Sequence, residues 1–115
     1  IIFITSASTE LVSIDRAQYC VSKLGLSMWA KALAVRLAPS GIAVFEVRPG
    51  VIRTEMTARV AAMYDARIAE GLIPAGRWGE AEDVAHCITG LSSGHFTYAT
   101  GSTINVDGAL MIPRL

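Results

Sequence analysis

Tyr19-Cys20-Val21-Ser22-Lys23-Leu24-Gly25-Leu26-Ser27-Met28-Trp29-Ala30-Lys31-Ala32-Leu33-Ala34-Val35-Arg36-Leu37 forms the longest apolar segment of the chain and points to an α/β crossover. It lies inside a helical pattern over residues 17–38 that is apolar almost all round. A helix with so little polar face is buried on several sides. One side covers a sheet and another meets a second subunit, with Met28 and Trp29 in core or interface. Pro39-Ser40-Gly41 then stops the helix. Ahead of it runs Ile1-Ile2-Phe3-Ile4, continuous apolar residues as in a parallel strand covered on both faces. Behind it, residues 42–47 (Ile-Ala-Val-Phe-Glu-Val) form the next strand. Strand, helix of about twenty residues and strand make one right-handed parallel crossover. The class is α/β.

The same stretch opens on a chemical pair. Tyr19 and Lys23 are four apart and share one helix face. An ammonium that close stabilises phenolate relative to phenol, and such a tyrosine can protonate a carbonyl oxygen or accept an alcohol proton. The spacing by itself also describes a surface lysine beside a half-buried ring. Context adds Ser6, thirteen residues before Tyr19, where the first strand leaves the sheet. In open parallel sheets that carboxyl edge is where ligands bind. Ser6 and Ser8 also suit ordinary turn chemistry, bonding nearby backbone groups. After the second strand comes Arg48-Pro49-Gly50-Val51-Ile52-Arg53-Thr54. There Pro49 and Gly50 are expected to turn the chain sharply, the glycine allowing close approach to a ligand. Thr54 also suits the N-cap of a following helix.

Ser6, the Tyr19-x-x-x-Lys23 helix and the Pro49-Gly50…Thr54 segment together resemble the short-chain dehydrogenase/reductase family. Thr100-Gly101…Val106-Asp107-Gly108 matches that family's last strand, so the resemblance runs through the whole chain. It implies a doubly wound, Rossmann-like parallel sheet, of which residues 1–115 supply the C-terminal half. It further implies reversible NAD- or NADP-dependent reduction of a carbonyl to a secondary alcohol. Ser6, Tyr19 and Lys23 would be catalytic. Tyr19, Lys23, Pro49, Gly50, Val51, Ile52 and Thr54 would meet the cofactor, with main-chain groups near Ile52 at the carboxamide and Thr54 reaching the carboxamide or a phosphate. The run from Tyr19 to Thr57 looks most like 3-oxoacyl-(acyl carrier protein) reductases. Sugar, polyol and small-ketone reductases share the motifs, so the substrate stays open, as does NAD against NADP. The resemblance also implies a homo-oligomer, dimer or tetramer.

Residues 55–71 carry Met56, Val60, Met63, Tyr64 and Ile68 at helical spacing. In the family this region is a flap over the substrate, so Met56, Met63 and Tyr64 are candidate substrate contacts; an ordinary amphipathic helix is the alternative. Residues 73–79 break the pattern, and residues 80–91 form another helix with acidic residues in its first turn. Arg77-Trp78-Gly79-Glu80 resembles a structural segment of the family. Residues 103–106 are a short final strand, and the apolar tail 110–115 is expected to pack against a neighbour.

At 115 residues there is room for one domain. Net charge is zero, from ten basic and ten acidic residues without a basic run, which sets nucleic acid aside. No uncharged apolar run reaches the ~18 residues of a membrane span. Cys20 and Cys87 read as free thiols in a reducing, cytoplasmic setting, a disulfide being the other arrangement open to them. His86 and Cys87 are neighbours that point apart on a helix, and no metal site is expected. The chain opens in mid-strand without a methionine or a secretory leader, and reads as the later half of a larger protein. It lacks the family's glycine-rich pyrophosphate turn. Alone, it is expected to bind cofactor poorly and to expose an apolar sheet edge at residues 1–4. A non-catalytic oligomerisation module left from a truncated dehydrogenase is therefore the rival reading. An epimerase or dehydratase using the same Tyr-Lys pair is a third.

Overall fold

A computed structural model describes all 115 residues. Three strands, β1 (Ile2–Ile4), β2 (Phe45–Pro49) and β3 (Thr103–Val106), form a parallel sheet in that order. Ile4 lies opposite Val47, and Val47 opposite Ile104. The first crossover is α1 (Ala17–Leu37); the second carries α2 (Ala61–Ala69) and α3 (Ala81–Ser92). A 3₁₀ turn over Ile14–Arg16 feeds directly into α1. Its other end closes at Gly41, whose φ of 72° suits a residue without Cβ. The Gly41 N–H donates to the Ala38 carbonyl at 3.0 Å.

The second strand sits later than residues 42–47 and includes Pro49, which therefore does not turn the chain. The ladder explains why a proline is tolerated there. Along β2 the N–H groups alternate sides: Phe45 donates to Ile1 of the first segment, and Glu46 and Gly50 donate toward β3 (Ser102 and Val106). By that alternation Pro49 faces the β1 side, where the last ladder bond is from the Thr5 N–H to the Val47 carbonyl, so the proline stands at the very end of the pairing with β1.

Strand alternation divides the sheet into two faces. Glu46 and Arg48 point toward α1, where the hydroxyl of Ser27 meets both. Phe45 and Val47 point the other way and are buried, with α3 packed across β2 and β3. Helices on both faces make the sheet doubly wound. A small apolar cluster of Ile68, Ile73 and Trp78, joined by Val51, Tyr64 and Leu110, anchors the second crossover.

Burial of α1 is one-sided. Ser27, Ala30 and Ala34 are buried, whereas Val21, Leu24, Met28, Trp29 and Val35 face outward. Ile1 and Ile4 on the β1 edge are likewise exposed, as are Ile112 and Leu115 in the tail. No helix is long and apolar enough to cross a membrane.

Candidate active site

The carboxyl edge of the sheet gathers the sequence candidates. Tyr19 stands in the first turn of α1 with Lys23 one turn on, and the Lys23 Nζ lies 5.6 Å from the centre of the Tyr19 ring. That ammonium also donates to the Ile4 carbonyl at 3.2 Å, which ties α1 to the last residue of β1. A second cation was not singled out by the sequence reading. The Arg16 guanidinium lies 5.4 Å from the same ring, and its position three residues ahead of Tyr19 on a helical path was the available signal.

Ser6 follows β1 by two residues and caps the 3₁₀ turn Ala7–Thr9, its Oγ accepting the Ser8 N–H at 3.1 Å. Turn chemistry is thus present at Ser6. Because the hydroxyl accepts there, its own proton is left to donate elsewhere.

The segment after β2 is held from beneath. Gly79 donates to the Val51 carbonyl at 3.0 Å, and Arg53 donates to the Gly79 carbonyl at 2.9 Å. Trp78 fixes Gly79 by burial in the cluster and by donating its Nε1–H to Asp65 at 2.7 Å, with the Arg53 guanidinium stacked 4.7 Å above the ring. Arg77 forks onto Asp83 at 2.7 and 2.9 Å and, with the Glu80 N–H, holds that carboxyl well below the usual range. Between these bonds the Ile52 N–H donates to no group of the chain. Thr54 is the N-cap of the 3₁₀ turn Glu55–Val60, its N–H donating to Thr57 Oγ1 at 2.9 Å. Gly50 has a packing role within the chain. A Cβ there would lie 2.7 Å from Asp107 Cβ and 2.9 Å from its Cα, so the glycine lets the ends of β2 and β3 meet.

The expected flap residues divide. Tyr64 packs edge-on against Trp78 at 5.5 Å and belongs to the core cluster, while Met56 and Met63 are exposed. An open cavity of about 500 Å³ lies among Arg53, Asp65, Trp78 and Glu80, away from Tyr19. Both cysteines are free, and burial pushes the Cys87 thiol up.

Behind this edge lies a buried ionic network that the sequence reading passed over. Glu46 is 2% exposed and Arg48 7%. Arg48 Nε donates to Glu46 Oε1 at 2.8 Å, and the guanidinium also reaches Ser27 at 3.1 Å and Glu10 in the loop before α1. Thr5, Ser27 and Thr103 donate to the Glu46 carboxylate at 2.6, 2.9 and 3.0 Å. Burial alone would raise the Glu46 carboxyl, but the bonds from Arg48, Thr5, Ser27 and Thr103 outweigh it and hold it at about 2. No buried side-chain polar atom is left without a partner. Charged residues two apart within an otherwise apolar strand share a face, and that was the readable signal.

These groups suit part of a dinucleotide. The unpaired Ile52 N–H and the Thr54 side chain fit a carboxamide, and Lys23 fits ribose hydroxyls. None of the 115 residues forms a glycine-rich turn for a pyrophosphate, so the fit is to the nicotinamide end alone.

A family model described as enoyl-(acyl carrier protein) reductase matches residues 1–110. In the crystal structure of a 3-oxoacyl-(acyl carrier protein) reductase from Brucella melitensis in complex with NAD, a region 54% identical superposes on this chain with a TM-score of 0.98. That region covers 100% of this chain and 46% of the reductase. The 3-oxoacyl-(acyl carrier protein) reductase of Rickettsia typhi is 38% identical over 84% of this chain and 40% of its own length. A 3β-hydroxysteroid dehydrogenase of Eggerthella lenta is 41% identical over 84% of this chain and 37% of its own. The chain thus spans less than half the length of each of these relatives.

Proposed function

Because the chain belongs to the short-chain dehydrogenase/reductase family, we propose that it is the C-terminal half of an NAD(P)-dependent oxidoreductase reducing a ketone to a secondary alcohol. The observation that carries this reading is the Tyr19–Lys23 pair at 5.6 Å, with Lys23 pinned to the strand edge at Ile4. Tyr19 donates a proton to the carbonyl oxygen and takes it back in the reverse direction. Lys23 stabilises the phenolate that results and holds the ribose hydroxyls. Ser6, whose lone pair already serves Ser8, donates its O–H to the same carbonyl oxygen and stabilises developing negative charge. Pro49, Gly50, Val51, Ile52 and Thr54 line the nicotinamide, Gly50 doing so beside its packing against Asp107, with the Ile52 N–H at the carboxamide and Thr54 at the carboxamide or a phosphate. The nicotinamide, when bound, supplies the hydride chemistry. A 3-oxoacyl thioester is the favoured substrate class, on the strength of the Brucella and Rickettsia reductases. The setting proposed is the cytoplasm.

The outward stripe of Val21, Leu24, Met28, Trp29 and Val35 supports assembly into a homodimer or homotetramer. It also supports the rival reading, a non-catalytic oligomerisation module. The two separate in one assay. The chain is joined to a cofactor-binding half, native or grafted from the Brucella reductase, and given NADH or NADPH with 3-oxoacyl thioesters, sugar ketones and small ketones. Oxidation of the nicotinamide on any ketone supports the reductase. Assembly with bound nucleotide and no turnover on the whole panel supports the module.

A further inference from the structure

We infer that Glu10, Arg48 and Glu46 form a positioning network that fixes the segment between Ser6 and Tyr19, and so sets the catalytic geometry. The inference rests on the reductase reading above. Its basis is where the network touches the chain. Thr5, which donates to Glu46 at 2.6 Å, immediately precedes Ser6. Ser27, bonded to both Glu46 and Arg48, lies one turn beyond Lys23 and two beyond Tyr19 on the same face of α1. Arg48 immediately precedes Pro49. Each segment bearing a proposed site residue is therefore attached to one guanidinium–carboxylate pair.

Glu10 completes the arrangement. It stands midway along the connection from Ser6 to α1, with its side chain 60% exposed, while the Arg48 side chain that it pairs with is 8% exposed. Arg48 presents Nε and a terminal nitrogen to Glu46 and its other terminal nitrogen to Glu10. One rigid fork thus couples the loop to the sheet interior, which a lysine ammonium cannot reproduce. Reacting groups must be held within a fraction of an ångström, and misplacement by about 1 Å can cost about 10²-fold in rate. Glu10, Arg48 and Glu46 touch neither substrate nor cofactor in this scheme. They act through Ser6, Tyr19 and Lys23.

The test uses Glu10→Gln and Arg48→Lys in the polypeptide carrying a cofactor-binding half. Glu10→Gln changes an exposed group and leaves the buried pair intact, so it keeps the fold. Amide hydrogen exchange, Tm, nucleotide Kd and steady-state kinetics are read together. The expected result for Glu10→Gln is about tenfold faster exchange over residues 7–16, with α1, β2, Tm and nucleotide Kd unchanged and kcat lowered about tenfold. Arg48→Lys should lower kcat further at unchanged Kd. Unchanged exchange in Glu10→Gln overturns the tether. Faster exchange with kcat within twofold of wild type overturns the positioning role. Absence of any ketone reduction by the wild type removes the reductase reading and the rate effect with it, while the exchange measurement still decides the tether.

Discussion

Glu46→Gln tests the physics of the interior most sharply. The carboxylate is held at about 2 against an ordinary 4.5, with burial opposing the shift and the bonds from Arg48, Thr5, Ser27 and Thr103 producing it. For a group 2% exposed this difference corresponds to about 3 kcal/mol of stability. A depressed carboxyl stabilises the fold above its unfolded pKa, and the contribution is lost as pH falls through the folded one. Stabilisation is therefore complete at pH 7 and fades between about 4.5 and about 2. Glutamine leaves the Arg48 guanidinium buried without its inner partner, and breaking such a pair costs about 3–5 kcal/mol. Urea unfolding of wild type and variant, from pH 7 down to pH 3, measures the difference. A loss near 3–4 kcal/mol at pH 7 that shrinks below pH 4.5 is expected. The double variant Glu46→Leu/Arg48→Met should recover only part of that loss, since it removes the buried charges but strips the Thr5 and Ser27 hydroxyls of their acceptor. A single-variant loss under about 1 kcal/mol, or one independent of pH, would mean that the Glu46 carboxylate does not stabilise the fold in this way.

Two further outcomes follow from backbone geometry. Gly50→Ala should destabilise by about 1–3 kcal/mol, because the new Cβ meets Asp107 at 2.7 Å; thermal unfolding checks it, and an unchanged Tm would refute the packing role. Ala109→Gly should stabilise by about 1 kcal/mol, since Ala109 has φ 69° in the left-handed region, where Cβ crowds the following carbonyl; denaturant midpoints measure it.

Much of this architecture is legible in the sequence because periodicity reports burial directly. The helix from residue 17, the helix from residue 81 and the strand Thr103–Val106 stand where their patterns place them. The second strand shifted because its limits are set by pairing partners. Only the ladder reveals that Pro49 can stay in the sheet where β1 has stopped. Tyr19 and Lys23 were readable from a four-residue spacing on one helix. The Glu46 network was harder, since Glu10, Ser27 and Thr103 reach the pair from distant parts of the chain. The packing role of Gly50 is hidden for a similar reason, its neighbour being Asp107, 57 residues away.

In the proposed reaction Tyr19 moves the proton. The direct measurement is turnover and nucleotide affinity of Tyr19→Phe, in the polypeptide with a cofactor-binding half and on the best ketone of the panel. The expected result is a fall in kcat of about 10²–10⁴-fold, the scale of a lost general acid, with nucleotide Kd within about twofold of wild type. Retention of more than about a tenth of wild-type kcat would contradict it and remove Tyr19 from the reaction.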